Sequence, residues 1–263
     1  MRNPVISLLT DFGSADHYAG AMKGVILGIC PKARLVDISH EITPYAIAEA
    51  AYTLAQAWRC FPVGTIHLVV VDPGVGSQRR PILAQASGHY FIVPDNGVLT
   101  MALGGISPVR VREIAASRYF RKPVSQTFHG RDVFAPVAAH LAAGVAPAKF
   151  GRRVADFVRL DGAGPVQVSA RKWAGKVLKI DRFGNIVTNL DWETWRRIVR
   201  GRFQLNVGKK KVSRLASSYA EVADSKPFLI RGSAEYMEVS VNQGRAADVC
   251  GLAVGGMVEI LIL

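Results

Sequence analysis

The sequence contains no hydrophobic run long enough to cross a membrane as a helix. Its longest apolar stretches, residues 65–71 and the final MVEILIL, have the length of a β-strand, whereas a membrane-spanning helix needs about 20 apolar residues. The N-terminal MRNPVISLLTDFG reaches an acidic residue too early for a secretory signal. We therefore expect neither a membrane span nor a secretory leader.

Cysteine is scarce and widely spaced. Cys30, Cys60 and Cys250 are far apart in the chain and form no CxxC pair. This pattern argues against a zinc site and against a disulfide framework, and it is typical of proteins in a reducing compartment. We expect three core cysteines in a cytoplasmic protein.

Acidic residues are outnumbered by basic ones, 20 against 33, which gives a formal net charge of +13. Much of the excess comes from the runs WRRIVRGR (195–202) and KKKVSR (209–214). A basic surface favours anionic partners such as nucleic acid. No RNA-binding motif or row of aromatic residues accompanies these runs, and a solvated basic face explains them equally well. The charge alone assigns no partner, and we do not expect nucleic acid.

The first 160 residues alternate strand and helix patterns. Strands are predicted at 5–10, 33–39, 65–71, 81–87 and 89–94, and helices at 17–29, 44–60, 96–103 and 131–144. Thr43 is the predicted N-cap of the second helix, and Pro136 falls in the first turns of the fourth. This alternation predicts an α/β domain, 1–160, with a mostly parallel sheet covered by helices on both faces.

The pattern changes after Leu160. The turn-rich segment DGAGPVQ (161–167) is the predicted linker, and the following domain, 168–263, consists mainly of short strands. Strands are predicted at 175–181, 185–190, 202–208, 227–232, 236–241 and 257–263, and the only predicted helix is DWETWRRIVR (191–200). We expect a smaller all-β domain, either a barrel or a sandwich.

Polar residues follow several predicted strands of the first domain. They are Asp11, the group Ser39, His40 and Glu41, then Asp72, and finally Asp95 with Asn96. One such group would be ordinary turn chemistry. The carboxyl ends of parallel strands share one edge of the sheet, and ligands bind there in open α/β folds, so four groups together indicate a site.

Further candidates lie outside these strand ends. His129, in TFHGRD, begins the predicted helix 131–144, where the helix N-terminus favours a neutral ring that can accept a proton. A capping or structural histidine is the alternative. In the second domain, Asp181, Phe183 and Asn185 surround a turn, and Ser233, Tyr236 and Glu238 precede another turn at Asn242. Each of these segments alone is also typical of a plain hairpin.

Seven motifs in this order resemble the S-adenosylmethionine hydroxide adenosyltransferase family, to which the S-adenosylmethionine-dependent fluorinase and chlorinase are related. The motifs are TDFG, VDISHEITPY, VVDPGVGSQRR, VPDNG, TFHGRD, DRFGN and VNQGRAA. The pair DPGVGSQRR and FHGRD is the specific part of the resemblance. The family fold, an α/β domain followed by a β domain, agrees with the patterns described above.

The resemblance implies hydrolysis of S-adenosylmethionine to adenosine and methionine, by attack of water or hydroxide on the ribose C5′. It implies no metal and no cofactor, because S-adenosylmethionine is the substrate. The implied catalytic set is Asp72, Arg79 and His129. The implied substrate contacts are Asp11 to the ribose; Tyr45, Phe128 and Phe183 beside the ribose or adenine; Asn185 near the adenine; and Asp181 and Ser233 to the methionine ammonium. Tyr236, Glu238 and Asn242 are further predicted substrate residues. The family forms homotrimers, with sites between the N-terminal domain of one subunit and the C-terminal domain of the next.

Two features separate this chain from the halogenating relatives. Those enzymes carry tyrosines where this chain has Asp72 and His129, and the fluorinase has a long insertion that is missing here, so halogenation is not expected. They also place an arginine after the serine of the C-terminal motif, to bind the methionine carboxylate. Here Ala234 follows Ser233, which leaves Arg231, Arg245 or backbone groups as replacements.

Two other functions stay open at this stage. Asp11, His40, Asp72 and Asp95 could bind Mg²⁺ or Mn²⁺ in a metal-dependent phosphoester hydrolase, since gathered carboxylates suit these ions. Alternatively, the basic C-terminal domain could bind RNA while the first domain senses adenosine or S-adenosylmethionine without turnover.

Overall fold

The computed structural model describes residues 3–162 and 164–263, and the chain divides into two compact units, Met1–Leu160 and Asp161–Leu263. Residues 1, 2 and 163 fall within the predicted domain 1–160 and linker 161–167, and they lie outside the described residues. Regular structure of the second unit already begins at Val166, inside the predicted linker. No helix in the described part of the chain has the length and apolar character that a membrane span requires.

The N-terminal unit contains a seven-stranded sheet. Its strands are β1 (Val5–Thr10), β2 (Arg34–Ser39), β3 (Ile66–Val70), β4 (Pro81–Ala86), β5 (His89–Pro94), β6 (Arg110–Glu113) and β7 (Arg153–Val154), in the order β2-β1-β3-β5-β4-β6-β7. Strands β2, β1, β3 and β5 are parallel to one another, whereas β4, β6 and β7 join by antiparallel pairing.

The prediction of a mostly parallel sheet is therefore correct for only half of the sheet. A two-residue turn, Ser87–Gly88, connects β4 to β5, and both residues have positive φ angles of 48° and 77°. Such a turn joins antiparallel neighbours, because a parallel connection needs a crossover of a dozen or more residues.

Helices cover both faces of this sheet, as predicted. They are α1 (Tyr18–Ile29), α2 (Ile47–Ala57), α3 (Thr100–Leu103) and α4 (Ala135–Ala142), and a π-helical turn, Gly130–Phe134, precedes α4. Met22 of α1 and Val137 of α4 are fully buried in one core with Leu8 of β1. On the other face of the sheet, α2 and α3 pack against Leu9 of β1 and Val69 of β3. Leu8 and Leu9 enter different cores because successive side chains of a strand point to opposite faces of the sheet.

Two local predictions in this unit are wrong. Thr43 does not cap α2, because the helix begins four residues later at Ile47, and the backbone N–H of Thr43 instead donates to Glu49 Oε2 at 3.0 Å. Cys60 is exposed rather than buried, because it ends a short 3₁₀ turn that buries Trp58 instead. Cys30 and Cys250 are buried, and all three cysteines are free thiols.

The C-terminal unit is built around nine strands. They are β8 (Val166–Ser169), β9 (Lys172–Ile180), β10 (Ile186–Asp191), β11 (Phe203–Val207), β12 (Lys210–Val212), β13 (Leu215–Ala216), β14 (Phe228–Arg231), β15 (Tyr236–Ser240) and β16 (Met257–Ile262). The long strand β9 pairs with β16 along one part and with β10 along another, so the sheet curls around it. The predicted β organisation is confirmed in this broad sense.

The description of this unit as all-β is only partly correct. It also contains α5 (Trp192–Val199), which was predicted, and α6 (Ala246–Cys250), which was not. Asp191 caps α5 by accepting from Thr194 N at 2.8 Å. Trp192 and Trp195 of α5 and Ala246 of α6 are buried in the core of the unit. The helix α6 has only five residues, too few to produce a helical pattern in the sequence.

Candidate active site

A cavity of about 310 Å³ opens at the carboxyl edge of the parallel strands in the N-terminal unit. Asp11 follows β1 and Asp72 follows β3, and both line this cavity, as the strand-end argument predicted. His129 reaches it from the segment before α4. The remaining lining consists of Phe12, Tyr18, Pro44, Tyr45, Val70, Val75, Thr127, Phe128 and Gly130. We refer to this space as the N-terminal cavity.

Asp72, Arg79 and His129 form one hydrogen-bonded cluster. Arg79 Nε donates to Asp72 Oδ1 at 2.9 Å, and Arg79 Nη2 donates both to Asp72 Oδ2 and to His129 Nδ1, the latter at 2.9 Å. The side chains of Asp72 and Arg79 are only 5% and 9% exposed. This bidentate ion pair is almost inaccessible to solvent, and it holds the Asp72 carboxylate and the His129 ring in one arrangement.

The turn between Asp72 and Arg79 explains how residues seven positions apart meet. Backbone bonds from Val75 N to Asp72 O and from Ser77 N to Gly74 O close two successive turns. Gly76 has a φ of 76°, and a Cβ there would lie 2.6 Å from Gln126 O. The glycine therefore lets this turn approach the segment that carries His129. The guanidinium of Arg79 also lies over the ring of Phe134, 5.1 Å from its centre.

His129 is held as a neutral ring of one tautomer. Burial lowers its pKa, and the positive charge of Arg79 lowers it further, while Asp72 and Asp132 act in the opposite direction. The direction agrees with the sequence prediction, but burial, not the helix N-terminus, is the main cause. An arginine only donates hydrogen bonds, so Nδ1 must be the acceptor and Nε2 must carry the proton of the neutral ring.

Asp132 anchors the segment that presents Phe128 and His129. Its side chain is fully buried and accepts from Arg131 Nε at 2.7 Å, Ser125 N at 2.9 Å and Arg121 Nη1 at 3.2 Å. These bonds satisfy a buried charge that would otherwise be costly. Asp132 therefore positions the loop from within and does not line the cavity.

Asp11 and Tyr45 are joined through the backbone. The N–H of Tyr45 donates to Asp11 Oδ2 at 2.9 Å, with Tyr45 in a left-handed conformation of φ 68°. Burial raises the pKa of Asp11, the bond from Tyr45 opposes this rise, and the nearby charge of Asp72 adds to it. The Tyr45 side chain is 72% exposed and stands at the mouth of the cavity.

Three aromatic rings form one side of the N-terminal cavity. Phe128 packs edge-on against Phe12 at 5.9 Å and against Tyr18 at 5.1 Å between ring centres. Only Phe128 was predicted as a site residue. Phe12 directly follows Asp11 in the TDFG motif, which is a signal that would have identified it, whereas Tyr18 looks like any first residue of an amphipathic helix.

The other predicted strand-end groups serve the fold instead of the cavity. Asp95 pairs with Arg80 at 2.6 Å and accepts from Val158 N at 2.7 Å, and Asn96 Nδ2 donates to Val71 O at 2.8 Å. His40 Nδ1 bonds Thr10 Oγ1 at 2.8 Å, and its Nε2 lies 3.1 Å from Asp37 Oδ1.

Three of the four ligands of the metal hypothesis are engaged separately, since Asp72 and Asp95 each face an arginine and His40 faces Asp37. Asp11, the fourth, lines the N-terminal cavity with Asp72 and accepts from the backbone N–H of Tyr45. Among residues 3–162 and 164–263, no group of three or more His, Cys, Asp or Glu side chains is arranged to hold a metal ion.

The C-terminal unit has its own cavity of about 950 Å³. Six of the predicted residues line it: Asp181, Phe183, Asn185, Ser233, Glu238 and Asn242. The seventh, Tyr236, pairs with Asp191 across β15 and β10 and is not among the described lining residues. Tyr219 lines the cavity and was missed, because it comes from a loop without any recognisable pattern. We refer to this space as the C-terminal cavity.

Asp181 and Glu238 place two carboxyl groups in this cavity. Asn185 donates to both oxygens of Asp181, from its backbone N and from its Nδ2, each at 2.8 Å. Burial raises the pKa of Glu238 to about 7, and the charge of Asp181 contributes to the rise. Gly232 permits this packing, since a Cβ there would collide with Glu238 Oε1.

Both proposed replacements for the missing arginine also line the C-terminal cavity. Arg231 pairs with Glu235 at 2.6 Å and lies over the ring of Trp192. Arg245 donates to Arg182 O and to Asp248 Oδ2, each at 3.1 Å. Each guanidinium is thus already bonded within the C-terminal unit.

Comparison with known proteins finds matches to one family along most of the chain. Residues 6–151 match the SAM hydroxide adenosyltransferase N-terminal domain, and residues 175–259 match the C-terminal domain of the same family. A protein of Thermus thermophilus named (R)-S-adenosyl-L-methionine hydrolase is 37% identical over 97% of this chain and 99% of its own length. One of Methanocaldococcus jannaschii with the same name is 35% identical over 98% of this chain and 95% of its own length.

A more distant relative and a solved structure are also similar to this chain. A protein named fluorinase from Nocardia brasiliensis is 31% identical, but over only 72% of each chain. The crystal structure of an uncharacterized conserved protein from Thermotoga maritima superimposes with a TM-score of 0.86 at 37% identity, covering 97% of this chain and 99% of the other.

Proposed function

We propose, because the chain belongs to the SAM hydroxide adenosyltransferase family, that it hydrolyses S-adenosylmethionine to adenosine and methionine. The observation that carries this proposal is the Asp72–Arg79–His129 cluster, buried at the edge of the N-terminal cavity. Neither alternative has comparable support. Three of the four proposed metal ligands are paired separately with other side chains, and an adenosine-sensing RNA-binding protein has no relative among those described above.

Attack on the ribose C5′ requires a positioned nucleophile more than an acid, because the sulfonium sulfur leaves as a neutral thioether. Water is a weak nucleophile at neutral pH. A water molecule held by Asp72 and His129, in line with the C5′–S bond, gains from proximity and orientation. Arg79 fixes both partners and supplies a positive charge that favours developing hydroxide character on the water.

Asp72 is the proton acceptor in this mechanism. His129 Nδ1 is occupied by Arg79, and Nε2 already carries the ring proton, so the histidine enters the reaction as a hydrogen-bond donor. Asp72 keeps lone pairs on both oxygens beside those used by Arg79 and can accept the proton of the water. The proton then passes to solvent when the products leave.

The remaining predicted residues bind the substrate. Asp11 accepts hydrogen bonds from the ribose hydroxyls at the floor of the N-terminal cavity. Phe128 packs beside the sugar or the adenine, and Tyr45 covers it from the mouth. Phe183 and Asn185 act on the nucleoside from the C-terminal cavity.

The methionine part is bound by the C-terminal cavity in this proposal. Asp181 and Ser233, together with Glu238, face the ammonium group, since two carboxyl groups in one cavity favour a cation. Arg231 and Arg245 are the candidates for the carboxylate, and Tyr236 and Asn242 complete the predicted set. The names of the relatives specify the (R) form, so we expect the (R)-sulfonium epimer to react faster.

The two cavities meet across subunits of a homotrimer in this account. An inactive Asp72→Asn protein and an Asp181→Asn protein with a raised KM, unfolded and refolded together, should then recover activity at substrate concentrations below the raised KM. Recovery follows because some sites combine an intact N-terminal unit with the intact C-terminal unit of a neighbour. No recovery, although native mass spectrometry of differently tagged chains shows mixed trimers, would place both cavities of a site in one chain. A cytoplasmic location stays a prediction from the free cysteines.

A product assay tests the activity. Purified protein is incubated with S-adenosylmethionine in EDTA without halide, and the products are separated by chromatography. Adenosine and methionine in equal amounts are expected from the wild type, and almost none from Asp72→Ala. Loss of turnover in EDTA, restored by added Mg²⁺ or Mn²⁺, would favour the metal-dependent alternative. Tight adenosine binding without turnover would favour the sensor.

A further inference from the structure

Another cavity, of about 320 Å³, lies on the N-terminal unit at the antiparallel side of the sheet. Its lining is Leu83, Gln85, Arg110, Arg112, Ala146, Pro147, Ala148 and Arg153. The volume corresponds to about ten water molecules. We call it the arginine cavity, and neither the reaction nor the substrate residues use any part of it.

Strand register explains why three arginines share one cavity. Arg112 of β6 pairs directly with Arg153 of β7 and with Leu83 of β4. Arg110 stands two residues before Arg112, so both project from the same face of β6. The residue between them, Val111, is buried in the core on the opposite face.

This arrangement concentrates positive charge without compensation. Like charges directly opposite on neighbouring strands destabilise a sheet. In the described part of the chain, no acidic side chain lines the cavity, and no ion pair is formed by Arg110, Arg112 or Arg153. The nearest acid in sequence, Glu113, pairs instead with Arg152 at 3.0 Å.

One of the three arginines is also fixed in place. Arg112 Nη1 donates to Gly151 O at 3.1 Å, and the side chain is half-buried. Arg110 and Arg153 remain exposed at the rim. A guanidinium offers paired donors that match the oxygens of a phosphate group.

We propose that the arginine cavity binds a compact phosphate-bearing anion, such as a pyrophosphate or triphosphate group, held by Arg110, Arg112 and Arg153. The anion relieves the repulsion between Arg112 and Arg153, which the protein alone leaves uncompensated. A single-stranded nucleic acid is the less suitable ligand. The described lining of this cavity contains no aromatic ring on which bases could stack.

Calorimetric titration of the full-length protein with inorganic pyrophosphate, at fixed ionic strength, tests the proposal. Saturable binding is expected in the wild type. Arg110→Ala and Arg153→Ala should each weaken it by about tenfold, since each removes charge-assisted hydrogen bonds. The matched control is Arg152→Ala, which removes the same charge one residue from Arg153 but from a side chain paired with Glu113. It should change the affinity by less than about twofold.

A second readout needs no ligand. Arg153→Ala should raise the melting temperature in low salt by ~1–2 °C, because the repulsion with Arg112 is removed. Adding pyrophosphate should raise the melting temperature of the wild type by more than that of Arg153→Ala, because the variant binds the anion more weakly. All three variants should keep the wild-type turnover of S-adenosylmethionine.

Several results would overturn the proposal. No saturable binding of pyrophosphate, or an equal loss of affinity in Arg152→Ala and Arg153→Ala, would reduce the cavity to part of a diffuse basic surface. Citrate binding as tightly as pyrophosphate would contradict the phosphate class. Single-stranded RNA binding more tightly than pyrophosphate, and losing affinity in the same variants, would make this face a nucleic-acid surface.

Discussion

The two units differ in how the charged side chains of their cavities are compensated. In the N-terminal cavity, Asp72 is neutralised by Arg79, and His129 is held neutral by burial and by the same arginine. In the C-terminal cavity, Asp181 and Glu238 bring two carboxyl groups into one space, and the pKa of Glu238 rises to about 7. Asp181 is bonded to the neutral Asn185, and the lining arginines Arg231 and Arg245 pair with Glu235 and Asp248. An internally balanced cluster positions a nucleophile, whereas two carboxyl groups in one cavity are suited to a cationic ligand. The comparison therefore predicts that the N-terminal unit controls kcat and that the C-terminal unit controls KM.

The largest effect is expected from a substitution in the Asp72–Arg79–His129 cluster. Asp72→Asn keeps the volume but removes the proton acceptor and the charge that pairs with Arg79, so kcat should fall about a thousandfold. Steady-state kinetics measures it. The matched control is Asp95→Asn, which breaks another buried Asp–Arg pair after a neighbouring parallel strand and outside the cavity lining. That variant should lose stability but keep kcat, and an equal loss of kcat in both would contradict a special role of Asp72.

Arg79→Lys should have the next largest effect. Lysine cannot donate two parallel bonds to Asp72 and a third to His129, so kcat should fall about a hundredfold. The weaker contact with His129 should also let its pKa rise, because the charge of Arg79 is one cause of the lowering. A protonated His129 cannot accept from the side chain at position 79, so the cluster that positions the water needs the neutral ring, and the acidic limb of the kcat/KM profile should move to higher pH. A profile that stays in place would show that Arg79 does not set the state of the ring.

The proximity of Asp72 and Arg79 was predictable from the sequence. The inclusion of His129 in the cluster was predictable only from the resemblance to the family. Asp72 and Arg79 stand in one short glycine-rich motif after a buried strand, so their proximity follows from a turn. His129 is 50 residues further along, and no local pattern brings it back. The same strand-end argument was wrong for His40 and Asp95, because position after a strand does not tell which neighbour a side chain will bond.

The fold, like the site, was predictable from the sequence only in part. Apolar runs with helical or strand spacing located α1, β1, β3 and α5 within a residue or two. Pairing direction, the curl of the sheet around β9 and the short helix α6 depend on turns and tertiary contacts that a periodic pattern does not contain.

The Asp181→Asn variant tests whether the C-terminal cavity controls KM. Removing the carboxylate should raise KM by about tenfold and change kcat by less than about threefold, because the reacting atoms are elsewhere. The control Glu193→Gln removes an exposed carboxylate of the same unit, on α5, that pairs with Arg196 and lies outside the described lining of the cavity. A fall in kcat with an unchanged KM would show that Asp181 belongs to the chemistry.

The smallest expected effect concerns stability. The pKa of Glu238 rises from the ordinary 4.5 to about 7 on folding, so the folded state binds more protons between these values. The free energy of unfolding should therefore fall as pH rises from about 4.5 to 7. Glu238→Gln should remove this slope and stabilise the protein by about 1 kcal/mol at pH 8. Urea unfolding at several pH values measures it, and an unchanged slope would mean that Glu238 is already ionised at pH 5.

The most direct test of the central claim follows the oxygen atom of water. The protein is incubated with S-adenosylmethionine in ¹⁸O-labelled water, and the products are analysed by mass spectrometry. Direct attack on C5′ predicts adenosine with one ¹⁸O in its 5′-hydroxyl, unlabelled methionine, and loss of both products in Asp72→Asn. Unlabelled adenosine, label in the amino-acid product, or a product that forms only with added halide would contradict the account.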